Sequence, residues 1–486
     1  MSVIDALAAR LRSELGSDQV ITDRQRLRTY ECDGLTHYRV IPALVVLPRS
    51  SAETATVVRA CAEAAVPFVA RGSGTGLSGG ALPHPDGVLI VTSRQRSILS
   101  LDPADERATL QPGVINQHIS DAVHEFGYYY APDPSSQQIC SIGGNVAENS
   151  GGAHCLKYGF TSNHVTGIEM VTPAGDLVRL GGSAPDTPGY DLLGAFVGSE
   201  GTLGIATEVT VRLTRLPETV RTLLAAFHST DQAGAATSAI IAAGVIPAAI
   251  EMMDALSIEA AEAAVHCGYP AGAGAVLLID LDGPATEVQA QFDDVTRLCT
   301  AHGSFETRVA ADDTERALIW RGRKSAFAAV GRISPDYIVQ DGVIPRTALP
   351  EVLRRITEVA TAHGIRVANV FHAGDGNLHP LVLFDDAVPG EATRAATVSG
   401  AILDLCIEFG GSITGEHGVG VDKARYLPRM FTDDDLETMQ LVRCAFDPAG
   451  LANPGKVFPT PRLCGEQPGH RRGAHPLHQS GVAEVF

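Results

Sequence analysis

The feature that most constrains this chain is a glycine-rich loop, RGSGTGLSGGA at residues 71–81, which directly follows a predicted strand. It contains G-T-G-L-S-G, a literal match to the G-x-G-x-x-G pattern of Rossmann sites, in which the last glycine opens a helix. Here Gly80, Pro83 and Pro85 follow, and a strand returns at Gly87, so no helix fits. The Rossmann interpretation therefore fails, and an NAD-dependent dehydrogenase becomes the less favoured class.

Two further bare stretches make this loop part of a larger pattern. Residues 131–159 contain two Gly-Gly pairs and few side chains large enough to form a core, and residues 198–211 contain another compact glycine turn. Consecutive small residues expose several backbone N–H groups to one anion, as in a nest that binds a pyrophosphate. One such loop alone would indicate a tight surface turn, whereas three favour a flat or extended ligand.

Charge and length exclude several classes of protein. The 486 residues exceed the roughly 100–200 of a single domain, so two or three domains are expected. A formal charge of −19 argues against nucleic acid as a partner, because such binding needs a cationic face. None of the nine cysteines forms a C-x-x-C pair, so an iron–sulfur cluster in the electron path would belong to another subunit.

The N-terminal residues and the apolar runs indicate where in the cell the protein is expected. Ile4, Leu7, Leu11 and Leu15 recur at helical spacing with charged residues between them, which predicts a helix rather than a signal peptide. The richest apolar run, residues 239–253, is interrupted by a proline and is too short for a membrane span. The expected location is the cytoplasm, with peripheral attachment to the inner face of the membrane through partner subunits as an alternative.

The rhythm of strands and helices predicts two α+β domains. Up to about residue 217, short apolar runs such as residues 43–48, 87–93 and 165–175 predict strands. Beyond it, strands such as residues 223–227 and 366–371 alternate with helices predicted at residues 285–301 and 349–362, which is typical of a sheet covered by helices. The Pro-, Gly- and His-rich residues 460–486 are expected to be disordered.

A histidine and carboxylate cluster lies in the second predicted domain. His372 and His379 in NVFHAGDGNLHP are seven positions apart, and a glycine turn between them can bring both imidazoles to one point. GSITGEHGVG adds Glu416 and His417. Two histidines and a carboxylate with an open fourth position suit a divalent metal such as zinc or manganese. The same set would also suit a metal-dependent hydrolase, in which the glycine-rich first domain would have no purpose.

The three glycine loops resemble the FAD-binding domain of the vanillyl-alcohol oxidase type, also called the PCMH fold. The resemblance implies domains at residues 39–217 (FAD-binding) and 218–459 (substrate), after an N-terminal helical segment at residues 1–38. It implies non-covalent FAD, because the first loop lacks the histidine that attaches the flavin in some relatives. The cofactor-binding residues that it implies are Arg71, Gly72, Ser73, Gly74, Thr75, Gly76, Ser78, Gly79, Gly80, Pro134, Ser135, Ser136, Ser141, Gly143, Gly144, Asn149, Gly151, Gly152, Glu200, Gly201, Gly204, Ile205 and Asn453.

FHAGDGNLHP, GEHGVG and the NPGK at residues 453–456 resemble the C-terminal domain of FAD-linked oxidases, the family of D-lactate, D-2-hydroxyglutarate and glycolate dehydrogenases. YECDGL, YYAPDPSSQ, GGNVAENSGG and DGVIPR are most like the FAD-binding subunits of bacterial glycolate oxidases, and the resemblance covers residues 25–460. It implies that His372, His379 and Glu416 bind a metal, that His417 is the catalytic base and that Arg323 pairs with the substrate carboxylate.

The resemblance implies oxidation of a small 2-hydroxy acid, glycolate or D-lactate, by hydride transfer to flavin N5. Phe327 and Val339 stand where the D-2-hydroxyglutarate branch has a threonine and a lysine for a second carboxylate, which favours a short monocarboxylate. In related glycolate oxidases this subunit works with an iron–sulfur subunit and a second flavoprotein-like subunit. The alternative is therefore a flavin-carrying electron-transfer subunit that is inactive without its partners.

Overall fold

The predicted succession of apolar strands and amphipathic helices is present in the computed structural model, which describes residues 2–184 and 189–458. These residues form two units with separate hydrophobic cores. The first unit comprises residues up to 150, 160–215 and 416 onward, and the second comprises residues 151–159 and 216–415. The predicted fold class, two α+β domains, is confirmed.

The helices and strands have the following bounds. The α-helices of the described residues are α1 (Val3–Leu15), α2 (Arg24–Leu27), α3 (Ser51–Glu63), α4 (Asn116–Val123), α5 (Ile142–Glu148), α6 (Cys155–Tyr158), α7 (Thr161–His164), α8 (Leu192–Phe196), α9 (Thr230–Ala242), α10 (Ala255–Val265), α11 (Ala285–Ala301), α12 (Asp313–Ala329), α13 (Leu349–Ala362), α14 (Glu391–Glu408), α15 (Leu427–Met430) and α16 (Asp433–Phe446). The strands are β1 (Val20–Ile21), β2 (Leu44–Val46), β3 (Phe68–Arg71), β4 (Val88–Val91), β5 (Ile98–Asp102), β6 (Arg107–Leu110), β7 (Tyr128–Tyr129), β8 (Val165–Val171), β9 (Leu177–Gly181), β10 (Ile205–Arg212), β11 (Thr214–Arg215), β12 (Thr219–Phe227), β13 (Ala249–Asp254), β14 (Ala275–Gly283), β15 (Glu306–Val309), β16 (Asp336–Val339), β17 (Gly342–Val343), β18 (Arg366–His372), β19 (Asn377–Leu378) and β20 (Pro380–Phe384). Short 3₁₀ helices lie at Ser17–Gln19, Arg28–Tyr30, Thr92–Arg94, His124–Phe126, Val330–Arg332, Arg346–Ala348 and Ala424–Tyr426.

Two principal sheets build the first unit. One has the order β1-β2-β4-β3, with β2, β4 and β3 parallel, and all four residues of β4 are buried. A strand that is apolar throughout is typical of a parallel sheet covered on both faces. The other sheet is antiparallel, in the order β5-β6-β10-β8-β9. The N-terminal segment belongs to this unit, because Leu7 and Leu11 of α1 share a core with Val57 and Val58 of α3.

One large antiparallel sheet forms the second unit. Its order is β15-β12-β14-β13-β18-β19-β17, and β20 pairs with both β18 and β16. Alternate residues of β12 face opposite cores: Leu223 and Phe227 pack with α9, α11 and α13, whereas Leu224 packs with α10 and α12. Because both faces are covered, the sheet holds its strand ends, from which the loops emerge, in fixed positions.

The structural units differ from a simple division of the chain at residue 217. Residues 416–458 return to the first unit, where the N–H of Phe68 in β3 donates to Leu451 O and the N–H of Asn453 donates to Phe68 O. Residues 151–159 belong to the second unit, where Leu156 packs against Gly374. Long-range backbone pairing of this kind leaves no local pattern in sequence. The predicted tail at residues 460–486 lies outside the described residues. No helix of the part that the structure describes is long and apolar enough to cross a membrane.

Candidate active site

The first glycine loop begins where β3 ends, at Arg71. Among the described residues, no acceptor takes a hydrogen bond from the N–H groups of residues 73–77. Gly74 and Gly79 adopt φ of +73° and +78°, in the left-handed region that favours glycine. Consecutive N–H groups of this kind form an anion nest, so the loop, with Thr75 and Gly76 at its centre, fits a diphosphate.

Arg71 places a fixed positive charge beside this nest. Its Nη1 donates to Cys32 O over 2.6 Å, and its guanidinium lies 2.2 Å from where a Cβ on Gly74 would stand. Burial lowers the pKa of Arg71, but a guanidinium keeps its charge at neutral pH. Gly74 is therefore required by two constraints, its backbone angle and the packing of the arginine.

The second glycine-rich stretch forms a helix, α5, where the sequence indicated only bare loop. Ser141 precedes the helix, and Gly143 and Gly144 lie in its first turn. A Cβ on Gly72 would lie 2.2 Å from Ser141 Oγ, so the first and second glycine loops approach each other closely. Ser141 Oγ is buried and has no hydrogen-bond partner among the described residues. A buried hydroxyl of this kind fits a polar ligand atom.

The flanks of α5 hold the remaining predicted residues of this stretch. Pro134, Ser135 and Ser136 form a turn in which the N–H of Cys140 donates to Ser136 O. Asn149 ends the helix at φ +52°, and its Oδ1 accepts a hydrogen bond from the N–H of Ser162.

Gly151 and Gly152 are buried at the start of the segment that belongs to the second unit. This segment is anchored by Asp282, whose Oδ2 accepts from Tyr158 Oη over 2.7 Å and whose Oδ1 pairs with Lys157 Nζ.

The third group of predicted cofactor residues makes protein contacts in the first unit. Glu200 accepts hydrogen bonds from the N–H groups of Val419 and Gly420, at 2.6 and 2.7 Å. Asn453 Nδ2 donates to Gly80 O and Glu200 O, at 2.9 and 2.6 Å. Gly201, Gly204 and Ile205 are buried, and a Cβ on Gly204 would lie 2.6 Å from Val171 O. The side chains of Glu200 and Asn453 thus join the glycine loops to the C-terminal segment, and their contact with a cofactor stays a prediction.

Buried ionisable side chains lie at this junction between the glycine loops and the C-terminal segment. Burial raises the pKa of Glu200, and burial together with the nearby charge of Glu200 raises that of Glu148 well above its ordinary value. Lys456 Nζ donates to Leu82 O over 2.9 Å, and burial lowers the pKa of this ammonium to about 8. The junction is therefore a place where protonation and folding are linked.

His372 and His379 meet in the second unit. β18 ends at His372, the N–H of Gly376 donates to His372 O, and the chain returns antiparallel through β19. Gly376 adopts φ +81°, which the reversal requires. The two imidazole centroids lie 5.0 Å apart with their planes perpendicular. The chain reversal expected from the glycines is thus present.

The Nδ1 atoms of both imidazoles face acceptors. His372 Nδ1 lies 2.7 Å from Glu251 Oε1, and His379 Nδ1 lies 3.4 Å from Gln340 O. Because a carboxylate and a carbonyl only accept hydrogen bonds, an imidazole that bonds to either group donates through Nδ1. Nε2 is then the ring nitrogen through which each histidine could bind a metal, as in metal-binding histidines that outer-shell partners hold by Nδ1. This donor set fits a divalent metal.

Arg323 on α12 is buried and paired with a protein carboxylate. Its Nη2 lies 2.6 Å from Glu251 Oε2, and both side chains are almost completely inaccessible, at 3% and 0%. Its Nε is buried and has no hydrogen-bond partner among the described residues. Phe327 packs one turn further along α12, with the guanidinium carbon 5.8 Å from the ring centroid. The guanidinium therefore retains donors for a second anion.

Asp341 organises the loop that leads out of the second unit. It is fully buried and accepts from Asn377 Nδ2 at 2.8 Å, from Thr414 Oγ1 at 2.5 Å and from the N–H of Gly415 at 3.0 Å. The chain then enters the first unit at Glu416 and His417, where Glu416 Oε1 lies 3.9 Å from His417 Nε2.

Sequence reasoning missed Glu251 and Asp341. Glu251 is the single carboxylate among apolar residues in AAIEMM, and such an isolated charge in a buried strand is the signal that could have identified it. Asp341 lies in DGVIPR, a motif that contributes to the family resemblance but does not by itself single out the aspartate.

Comparison with known proteins identifies two family matches. The family described as "FAD binding domain" matches residues 42–181, and "FAD linked oxidases, C-terminal domain" matches residues 216–457. The glycolate oxidase subunit GlcD of Escherichia coli K12 is 51% identical over 456 residues, which cover 94% of this chain and 91% of that protein. The D-lactate dehydrogenase of Anaerostipes hadrus is 31% identical, covering 86% of this chain and 89% of that protein. The structure of p-cresol methylhydroxylase with substrate bound has a TM-score of 0.78 at 16% identity, covers 94% of this chain and 96% of that one, and shows the shared fold.

Proposed function

Because this chain belongs to the FAD-linked oxidases, we propose that it oxidises a small 2-hydroxy acid, glycolate or D-lactate, to the 2-oxo acid. It is an FAD-dependent oxidoreductase, which argues against the hydrolase alternative. The observation that carries the substrate proposal is the buried Arg323. Its guanidinium and the imidazole of His372 share the carboxylate of Glu251, which puts a cation for the acid's carboxylate beside the two paired histidines.

The choice of substrate rests on two relatives and on the apolar residues Phe327 and Val339. One relative is named for glycolate and the other for D-lactate. Phe327 and Val339 are apolar and pack at the edge of the core that α10 and α12 form with the sheet. Neither can bind a second carboxylate, because an apolar side chain would leave that charge desolvated and unpaired. A short monocarboxylate is the class of substrate that these residues favour.

The chain's own residues divide the remaining work. Bound FAD supplies the two-electron acceptor at flavin N5, and the nest at residues 73–77 is proposed to hold its diphosphate. Arg323 orients the acid by pairing with its carboxylate. His417 accepts the proton of the 2-hydroxyl while the C2 hydride leaves for the flavin, so the acid loses one proton and one hydride, two electrons and two protons in all, and becomes the 2-oxo acid.

A divalent metal is the second proposed cofactor. His372, His379 and Glu416 are the proposed ligands, and the Nδ1 contacts of both histidines support this role. Zinc or manganese there would lower the pKa of the substrate hydroxyl. His417 could then accept its proton at neutral pH.

The electrons are proposed to leave through partner subunits, an iron–sulfur protein and a second flavoprotein-like chain. The relative from E. coli is named as a subunit of glycolate oxidase, which supports a multi-subunit assembly. A cytoplasmic location, with peripheral attachment to the membrane through those partners, is part of the same proposal. The competing proposal is a flavin-carrying electron-transfer subunit without its own substrate site.

Steady-state assays with an artificial dye as acceptor separate these proposals. The purified chain is supplied with glycolate, D-lactate, L-lactate or D-2-hydroxyglutarate, and the 2-oxo acid is quantified. We expect glyoxylate or pyruvate from glycolate or D-lactate, and little product from the dicarboxylate. No product from any acid, with FAD bound, would favour the electron-transfer subunit.

A further inference from the structure

We propose that Glu251 is a positioning residue that sets the orientation of both the proposed metal ligand His372 and the proposed substrate anchor Arg323. The inference rests on the proposed function, because it concerns residues of that same site. Glu251 lies near the start of β13, and its partner in the neighbouring strand β18 is His372. The carboxylate is thus held between two side chains by backbone pairing on one side and by α12 on the other.

The contacts of Glu251 are divided between its two oxygens. Oε1 lies 2.7 Å from His372 Nδ1, and Oε2 lies 2.6 Å from Arg323 Nη2. None of the three side chains is more than 6% exposed, so solvent cannot replace either contact. A buried carboxylate depends on nearby donors and cations for its stability. His372 supplies a hydrogen-bonding contact and Arg323 an ion pair, and both residues belong to the proposed site.

The position of Glu251 requires a hydrogen-bond acceptor facing His372 and another facing Arg323. A carboxylate presents two acceptor oxygens, whereas the glutamine amide presents one acceptor and one donor. In Glu251→Gln, the amide N–H would face either the guanidinium or His372 Nδ1. If it faces the imidazole, the proton moves to Nε2 and removes the lone pair that would bind a metal. If it faces the guanidinium, Arg323 loses its anchor.

Metal affinity is the direct test. The full-length FAD-loaded protein is titrated with Zn²⁺ and with Mn²⁺ against a competing chelator, and FAD content and melting temperature are measured on the same samples. We expect Glu251→Gln to bind the metal about 10–100-fold more weakly, as outer-shell substitutions typically do, with unchanged FAD content. We also expect a higher KM for the acid. Glu251→Asp keeps two acceptors at shorter reach and should recover part of the affinity.

Asp254→Asn is the matched control, because Asp254 lies on the same strand and its carboxylate bonds to Ser257 and Asn369 instead. This variant should bind the metal as the wild type does. Wild-type affinity in Glu251→Gln, or an equal loss in Asp254→Asn, would overturn the inference. A wild-type protein that binds neither metal would also overturn it, whereas flavin reduction by the acid would leave the proposed function standing.

Discussion

The main-chain N–H of Val419 donates a hydrogen bond to Glu200 Oε1 over 2.6 Å. The other carboxylate oxygen accepts from the N–H of Gly420, so Glu200 fixes the loop that directly follows His417. Glu200 itself adopts φ +53°, a left-handed conformation that costs a residue other than glycine about 1–3 kcal/mol. The surrounding contacts must therefore hold both the strained backbone and the carboxylate in place.

Replacing Glu200 by Gln should loosen this loop. The amide has one acceptor for two N–H groups, so one buried donor is left unpaired at a cost of about 1–3 kcal/mol. We expect a lower free energy of unfolding and a lower turnover number, with the dissociation constant of FAD changed much less. Urea unfolding, a steady-state assay and flavin titration of the same variant measure these three quantities. A variant that loses FAD while its stability is unchanged would indicate direct contact between Glu200 and the cofactor.

Gly420→Ala should be strongly destabilising. Gly420 adopts φ +54°, and a Cβ there would stand 2.0 Å from Ser78 O in the first glycine loop. We expect a loss well above the roughly 1–2 kcal/mol that left-handed backbone alone costs an alanine. Gly410→Ala is the control, because Gly410 has φ +76° but open space around the Cβ position. Equal melting temperatures for the two variants would contradict the packing argument.

Periodicity predicted the regular elements of the second unit well. The helices expected at residues 285–301 and 349–362 have those bounds in the structure. Leu349, Val352, Leu353 and Ile356 recur at helical spacing and are all buried. The proximity of His372 and His379 could likewise be predicted, because the glycines between the two residues allow the chain to reverse sharply.

The remaining features depend on contacts between residues distant in sequence. Glu251 lies 121 positions from His372, and only the pairing of β13 with β18 brings them together. The return of the C-terminal segment to β3 depends on backbone hydrogen bonds, which leave no side-chain pattern. The helix α5 was missed because Gly143 and Gly144 lower helix propensity, and tertiary packing overrides that preference.

Lys456 should make the free energy of unfolding depend on pH in the alkaline range. Burial lowers the pKa of its ammonium from 10.5 to about 8, so the unfolded chain binds more protons between these values. Stability therefore rises with pH across this window. Lys456→Met removes the titrating group, and the free energy of unfolding of the wild type relative to this variant should rise by up to about 1.4 kcal/mol per pH unit. Urea unfolding at several pH values from about 7.5 to 9.5 checks this. Parallel pH profiles would contradict it.

His417→Ala should lose turnover while retaining FAD. Removing a general base typically lowers the rate by about 10²–10⁴-fold. The flavin absorbance per chain should be unchanged, because the nest at residues 73–77 is untouched. His124→Ala, which removes an exposed histidine of the same unit, is the control and should keep full activity. Full activity in His417→Ala would exclude it as the base.

Anaerobic reduction of the bound flavin tests the central claim most directly. The purified chain is mixed without oxygen with glycolate, then with D-lactate and L-lactate, and the flavin absorbance is followed. We predict that glycolate or D-lactate bleaches the flavin at a rate that rises with the concentration of the acid. The Arg323→Met variant should require a much higher concentration of the acid to reach the same rate. A flavin that none of these acids bleaches, in a chain fully loaded with FAD, would contradict oxidation of a 2-hydroxy acid by this protein alone.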